Sequence, residues 1–473
     1  MIPYDARVTA PVVVILAAGQ GTRMRSGTPK LLHPLCGRPM IAWPVAAARA
    51  AGAEQVVVVD GPDQQLSSVL DHSVQLAVQE RPLGTADAVR AAGDWIRPGQ
   101  TIVVINGDGP LITPETIRGL AEAQQNSHAG ATVVTAVLDD PTGYGRVIRG
   151  PDGTIERVVE TKAPGDASEL ELRIREVNAG MYAFEGETLL SALAEVRADN
   201  VQGEHYLPDV LAILRAAEHS VLAHELDDST EILGINDRSQ LAQVRGIAQQ
   251  RIHRRHMLAG VTIVDPRATV IDADAEIGAD TVINPFSSIH GATRIGGAAT
   301  IGPLSTLIDA EVGERATVLH AYVERARIGA DASVGPFAYL RPGTVLREGS
   351  KAGTFVEIKN SDIGAGTKVP HLSYIGDADI GEQTNLGAST ITANYDGFRK
   401  HRTTIGSRVK TGVHTTLVAP VTIGDDAYTA AAAPVTDDVP PGALAGTNPR
   451  QRQQNVEGYS ERRKQRETQE KQP

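Results

Sequence analysis

Residues 271–301 read IDADAEIGADTVINPFSSIHGATRIGGAATI. Ile271, Ile277, Ile283, Ile289, Ile295 and Ile301 stand six apart without a slip, and Leu307 extends the series. An amphipathic helix repeats its apolar residues every three or four positions, and a half-buried strand every two. A period of six fits short strands joined by tight turns, with one aliphatic side chain per turn pointing inward. The phase shifts and the period resumes at Ile328, Val334, Leu340, Leu346, Ala352 and Ile358. A third run holds Ile405, Thr411, Leu417, Ile423 and Thr429. Glycine often follows the aliphatic position, as in Ile277-Gly278, Ile328-Gly329 and Ile423-Gly424. The runs break around Asn394–His401, and an insertion in a solenoid becomes a loop on one face. The repeats predict a parallel β-helix and leave open whether it is an enzyme, a binding module or an assembly device.

Upstream the pattern is different. Val12–Leu16, Val56–Val59, Val74–Val78 and Thr101–Ile105 read as buried strands, with helices expected at Ile41–Ala51 and near Ala86–Ala92. Gly52 suits a helix stop. Strands alternating with helices predict a mostly parallel, Rossmann-like α/β sheet covered on both faces. Ligands of such sheets sit beyond the carboxyl ends of the strands, so the loops after Leu16 and Ile105 are the places for chemistry. In Ser239–Leu258, Leu241, Val244, Ala248 and Ile252 recur at helical spacing among Gln and Arg, which predicts one long amphipathic helix. The expected division is an α/β domain over 1–238, a linker helix over 239–259, a β-helix over 260–449 and a charged tail over 450–473.

The 473 residues carry a net charge of −12 and one cysteine, Cys36. The acidic balance argues against a general nucleic-acid binder, and a single cysteine excludes an intrachain disulfide. The apolar run Val12–Ala18 is too short to span a bilayer. A cytoplasmic protein without nucleic-acid or membrane partners is expected.

Leu16-Ala17-Ala18-Gly19-Gln20-Gly21-Thr22-Arg23-Met24 follows the first strand. No Gly-Lys-Ser/Thr ends it, and Met24 stands where a dinucleotide fingerprint needs its third glycine. Its small residues still allow backbone N–H groups to approach a phosphate or base. Arg23 and Lys30 lie just downstream. This stretch and Pro29-Lys30, with Gln79, Gly84-Thr85 and Gly107-Asp108 in order, resemble the signature of sugar-phosphate nucleotidyltransferases. In the chemistry this implies, a sugar-1-phosphate attacks the α-phosphate of a nucleoside triphosphate and pyrophosphate leaves. Two polyanions must meet, so the site needs cations and a metal. Asp108 is the natural Mg²⁺ ligand, since a hard cation takes oxygen donors.

Asp139–Arg146, Val159–Lys162, Glu176–Gly180 and Gly234–Asn236 extend the likeness. Together with the repeats, the chain from Val12 to about Gly446 resembles the bifunctional N-acetylglucosamine-1-phosphate uridylyltransferase/glucosamine-1-phosphate acetyltransferase family of bacteria. The resemblance implies that Leu16, Ala17, Ala18, Gly19, Lys30, Gln79, Gly84 and Thr85 contact UTP, with Asn106, Gly107 and Asp108 completing that site. It implies that Gly145, Glu160 and Asn178 hold the acetylated sugar and that Asp108 and Asn236 bind Mg²⁺. Arg23 and Lys30 are expected to be the catalytic cations, holding phosphates and stabilising the charge on the leaving pyrophosphate. Asp237, beside Asn236, could add negative charge to the metal.

In the β-helix, Arg341, Lys359, His371, Tyr374, Asn385 and Asn394-Tyr395 interrupt a repeat of small and aliphatic residues. Arg341 and Lys359 are candidates for gripping a sugar phosphate. His371 has the pKa range to take a proton from an amine attacking a thioester. The segment Lys368–Tyr374 resembles the family's acetyltransferase segment. This implies His371 as general base, acetyl-CoA as donor, and Tyr374 and Asn385 as further ligands of the amino sugar phosphate. Ala388, Asn394, Tyr395, Val413 and Ala431 would line the acetyl-CoA site. Val413 replaces the family's usual Ser, Ser389 and Ala432 replace Gly, and the Arg expected after Leu444-Ala445 is missing or displaced to the region of Asn448 or Arg450. The resemblance also implies a homotrimer with CoA sites between neighbours. The alternative is a sugar-1-phosphate nucleotidyltransferase whose β-helix only regulates or oligomerises.

Overall fold

The computed structural model describes residues 9–161, 166–198 and 203–446. The stretch Arg450–Pro473, Asn448 and Lys162 lie outside the described residues. The chain divides into two compact units, one of 1–258 with 270–275 and one of 259–269 with 276–473.

In the first unit the strand order is Val221–Glu225, Ala131–Val137, Glu176–Glu185, Thr101–Asn106, Val12–Leu16, Gln55–Asp60, Val74–Val78. Val12–Leu16 pairs in parallel with both Gln55–Asp60 and Thr101–Asn106. Glu176–Glu185 runs antiparallel to its two neighbours. Residues Val12 to Ile15 are all fully buried, because helices cover both faces of a parallel sheet and alternation is lost. Three helices between strands are Ala42–Ala50, Thr85–Ala91 and Pro114–Ser127. The first ends as expected at Gly52, whose φ is +85°. The helix Arg238–Leu258 forms over the expected span and buries Leu241, Val244, Ala248 and Ile252. It belongs to the first unit by its contacts, together with Val270–Ala275.

The second unit is a parallel β-helix of three sheets, each built from every third short strand. Ile277 pairs with Ile295, Ile283 with Ile301 and Ile289 with Leu307, so one coil takes three hexapeptides. The phase shift seen in the sequence comes from shortened corners. Ile295 pairs with Val312, one residue early, and Leu307 with Val323, two early. The inward residues Val312, Val318 and Val323 bridge the two runs and are all buried. Farther on, Ile380 pairs with Ile405, a step of twenty-five residues. The seven extra residues are the insertion around Asn394–His401. Corner residues repeatedly take left-handed backbone, among them Phe286, Leu304, His320, Phe337, Phe355, Leu372, Ser389, His414 and Ala432, with φ from +46° to +59°.

Candidate functional site

In the first unit, chemistry gathers at the carboxyl ends of the parallel strands. Leu16 and Asn106 end neighbouring strands. The Gly107 N–H donates to the Leu16 carbonyl at 2.8 Å, which draws the two following loops together. A Cβ on Gly107 would stand 3.0 Å from that carbonyl, tighter than an ordinary contact, so glycine eases the approach. Lys30 sits in a short 3₁₀ turn, Lys30–Leu32. Its Nζ donates to Asp108 Oδ2 at 2.6 Å and to Asn236 Oδ1 at 3.0 Å. Three residues spread over 206 positions thus share one point.

Two clefts open on this point. One is lined by Leu16–Gly19, Lys30, Gln79, Gly84, Thr85, Asn106 and Asp108. The other, about 410 Å³, is lined by Arg23, Tyr144, Gly145, Glu160, Asn178 and Asn236 among others. Leu16, Thr85, Asn106, Asp108 and Tyr206 face both. The expected uridine-nucleotide residues, Gly107 excepted, fall on the first cleft and the expected sugar residues on the second, with Asp108 at the junction.

Local bonds explain several residue types. Gln79 is buried and its Nε2 donates to the Gly84 carbonyl at 3.0 Å and to Asp87 at 2.9 Å. Gly84 has φ +111°, and a Cβ there would meet the His205 carbonyl at 2.4 Å. Thr85 Oγ1 accepts from the Leu207 N–H. These bonds fix the Gln79–Thr85 loop against His205–Leu207. Asn178 Nδ2 donates to the Tyr182 hydroxyl at 2.7 Å and its Oδ1 accepts from the Gly180 N–H, so its amide is already oriented. Arg23 is exposed on the turn Thr22–Met24. Burial and the Asp108 carboxylate push the Tyr144 hydroxyl above its ordinary range.

The donor set suits a hard cation. Asp108 and Asn236 present oxygens that already converge on the Lys30 ammonium. Among the described residues no cluster of three or more His, Cys, Asp or Glu could hold a metal. A carboxylate and an amide leave most of an octahedral shell to phosphates and water, as Mg²⁺ prefers. Asp237 does not join this set. Its carboxylate accepts from the Gln240 N–H at 2.8 Å and starts the long helix.

In the second unit the expected residues form two groups. In the first, Arg341 Nη1 donates to Glu357 at 2.9 Å, and Glu357 pairs in register with Tyr374. Lys359 donates to both oxygens of Asp377 at 3.2 and 3.1 Å. Asn394 is buried and donates to the same carboxylate. Tyr374 and Asn394 both lie over Gly376, where a Cβ would stand 2.4 Å from the Tyr374 hydroxyl and 2.7 Å from Asn394 Nδ2.

The second group is a column at one corner. The Ser389 N–H donates to the His371 carbonyl, His414 to Ala388 and Ala432 to Val413. His371, Ala388, Val413 and Ala431 therefore occupy the same corner position on four successive coils, each just before a left-handed residue. Coils are about 4.8 Å apart, so this is a line of small side chains about 14 Å long with an exposed imidazole at one end. Asn385 stands on the sheet preceding that corner, bridging Lys368 and Lys410. Tyr395 is 60% exposed and its hydroxyl donates to Gly397 within the insertion.

Residues 13–150 match the model of the MobA-like NTP transferase domain. The chain is 49% identical over 459 residues to the bifunctional protein GlmU of Streptomyces avermitilis, covering 96% of this chain and 94% of that one. It is 48% identical to the bifunctional protein GlmU of Mycobacterium ulcerans, covering 96% and 93%. It is 47% identical to that of Mycobacterium tuberculosis, covering 96% and 92%. The chain belongs to the GlmU family of bifunctional proteins. It is an enzyme with nucleotidyltransferase and acetyltransferase activities that makes UDP-N-acetylglucosamine, and its β-helix is of the left-handed kind. The rival with a purely regulatory or oligomerising β-helix falls away. No helix among the described residues is long and apolar enough to cross a membrane.

Some residues at these sites carried no sequence signal. Tyr206 faces both clefts from a segment without periodicity. Gly376-Asp377 follows Ile375 as glycine follows aliphatics elsewhere in the repeat, so nothing in the sequence sets it apart from an ordinary corner. Only the surplus of polar residues around it could have drawn attention.

Proposed function

We propose that the two reactions use the residues gathered at these two places. Uridylyl transfer rests most on Lys30, Asp108 and Asn236 meeting at the junction of the clefts. UTP would lie along Leu16–Gly19, Gln79, Gly84 and Thr85, and N-acetylglucosamine-1-phosphate along Gly145, Glu160 and Asn178. The sugar phosphate oxygen attacks the α-phosphorus, and the bond to the leaving pyrophosphate breaks. Lys30 and Arg23 offset the charge on the phosphates, and Asn106–Asp108 close the floor. Asp108 and Asn236 would hold Mg²⁺, which when bound neutralises phosphate charge. Lys30 would then release its two oxygens and turn to phosphate.

For acetyl transfer, the amine of glucosamine-1-phosphate attacks the thioester carbon of acetyl-CoA. His371 takes the proton lost by the amine, and the CoA sulfur leaves. Arg341, Lys359, Tyr374 and Asn385 would bind the acceptor. Ala388, Asn394, Tyr395, Val413 and Ala431 would receive the donor. The corner column supports this, because small side chains beside His371 leave room for an extended pantetheine arm.

A homotrimer accords with a second feature of that edge. Phe286, Leu304, Phe337, Phe355 and Leu372 are half or more exposed at corners of one column, with His320 between Leu304 and Phe337. Phe337 stacks on Phe355 with ring centroids 5.1 Å apart and packs at a tilt against His320 at 4.2 Å. A contiguous apolar stripe of this kind marks an interface, and closed symmetry lets identical coils cover one another's edge. A neighbour would then complete the acetyl-transfer site, since its residues lie on different faces of one coil. The reading places the enzyme in the cytoplasm, with its co-substrates UTP and acetyl-CoA.

Separate assays of thiol release and pyrophosphate release on His371→Ala test the assignment. Acetyl transfer should disappear while uridylyl transfer survives. Loss of both in a folded protein, or of neither, overturns it.

A further inference from the structure

Asp377 in the β-helix accepts four side-chain hydrogen bonds. It is 6% exposed and sits at a left-handed corner, φ +51°. Its Oδ1 accepts from Asn360 Nδ2 at 2.7 Å and from Lys359 Nζ at 3.2 Å. Its Oδ2 accepts from Lys359 Nζ at 3.1 Å and from Asn394 Nδ2 at 2.5 Å. Burial alone would raise its pKa, but these donors prevail and hold the carboxyl below the usual range.

Its backbone makes the coil-to-coil bonds usual at these corners, and here they reach the far end of the insertion. The Asp377 N–H donates to the Lys359 carbonyl at 3.0 Å, and its carbonyl accepts from the Thr403 N–H at 3.1 Å. Asn394 begins the insertion and Thr403 follows its last turn. One residue therefore holds the entry of the insertion with its side chain and the exit with its carbonyl. The His401 N–H, donating to the Asn394 carbonyl at 2.8 Å, closes the base between them.

A plain structural corner would not need this. Corners elsewhere in the β-helix take Ala, Leu, Phe or Arg in the same left-handed conformation, and none of these brings a buried carboxylate onto an ammonium and two amides. Burying a carboxylate is costly unless charge and hydrogen bonds offset it. The ammonium that offsets it here is that of Lys359, and the amide is that of Asn394. No hydrogen bond joins Lys359 to Asn394 directly.

We propose that Asp377 is a positioning residue for acetyl transfer, locking the Lys359 ammonium and the root of the Asn394–His401 insertion into one geometry. It touches neither reacting atom. It acts by presenting Lys359 to the acceptor phosphate and by fixing the insertion that carries Asn394 and Tyr395. The inference rests on the acceptor role given above to Lys359 and the donor-side role given to Asn394.

The test is a double-mutant cycle in the full-length enzyme, read as kcat and KM for glucosamine-1-phosphate and acetyl-CoA. Asp377→Asn keeps the shape and tolerates left-handed backbone. It should lower acetyl-transfer kcat/KM for the acceptor about 30-fold or more, mainly through KM. In a Lys359→Gln background the same change should cost about threefold or less, because its target is gone. Uridylyl transfer should be unchanged. An Asp377→Asn enzyme within twofold of the parent, or one losing the same factor in both backgrounds, overturns the proposal. If Asp377→Asn does not fold, the cycle between Lys359→Gln and Asn394→Ala replaces it. Those two residues communicate through one carboxylate, so their effects should be non-additive by about fivefold or more, and additivity overturns the proposal. Lys359→Gln at full acetyl-transfer activity would instead remove the acceptor role itself, a result separable from the others.

Discussion

Gly376→Ala tests the acetyl-transfer geometry with one methyl group. Gly376 lies outside the left-handed region, so alanine meets no backbone penalty there. Its Cβ would stand 2.4 Å from the Tyr374 hydroxyl oxygen, 2.7 Å from Tyr374 Cζ and 2.7 Å from Asn394 Nδ2. An ordinary contact is about 3.4 Å or more. The phenol must therefore retreat by about 1 Å, and the amide by somewhat less. A misplacement of about 1 Å costs on the order of 10²-fold in rate, or about 2.7 kcal/mol. Overpacking should cost a further 1–3 kcal/mol, roughly, in stability. The assay is acetyl-CoA-dependent thiol release with glucosamine-1-phosphate, alongside pyrophosphate release and thermal unfolding. Acetyl-transfer kcat/KM should fall about 10²-fold while pyrophosphate release stays within twofold. A Gly376→Ala enzyme with acetyl transfer within threefold of the parent would refute the placing of Tyr374 and Asn394 in the site.

Four further outcomes follow. Lys30→Gln removes the cation that joins Asp108 to Asn236 and should reduce pyrophosphate release by about 10² or more, with acetyl transfer unchanged in the same preparation. Gly84→Ala forces φ +111° on a residue with a Cβ and drives it into the His205 carbonyl. The Gln79–Thr85 loop should shift, raising the KM for UTP at least tenfold, roughly, and lowering stability by about 2 kcal/mol. Ser389 and Ala432 occupy left-handed corners at φ +59° and +57°, so Ala432→Gly should stabilise the chain by about 0.5–1 kcal/mol in urea denaturation, and a loss would refute the strain. Burial, the Arg255 guanidinium and His253 push His256 down from 6.5 to about 4. The unfolded chain then binds the extra proton between those values, so stability is full above pH 6.5 and falls on acidification toward 4. The loss should be at most about 3 kcal/mol, and His256→Gln should flatten it between pH 7.5 and 5.

The departures from the family pattern acquire physical meaning in the structure. Ser389 and Ala432 replace glycine where the backbone is left-handed, which explains the glycine expected there. Val413 is 47% exposed in the middle of the His371 column. A serine there would face the proposed donor site, and valine removes one hydrogen bond, worth about 0.5–1.5 kcal/mol. The position of the displaced arginine, near Asn448 or Arg450, lies outside the described residues.

Periodicity and chain order carried much of this protein in the amino-acid sequence. A strict period of six is a local property, because each hexapeptide makes one strand and one corner wherever it occurs. The β-helix, the parallel α/β sheet, the long helix and the loops after Leu16 and Ile105 were therefore legible. The motif residues of both sites were legible through resemblance. Tertiary structure decided which of them meet. Lys30, Asp108 and Asn236 come together only because two parallel strands end side by side and Gly107 lets the loops close. His371, Ala388, Val413 and Ala431 are 17, 25 and 18 residues apart, intervals that hide a column until the insertion is folded out. The same folding makes Asp377, an ordinary corner residue in the repeat, the anchor of both ends of that insertion. Pairing across coils depends on residues removed or added at distant corners, and no local pattern contains that sum.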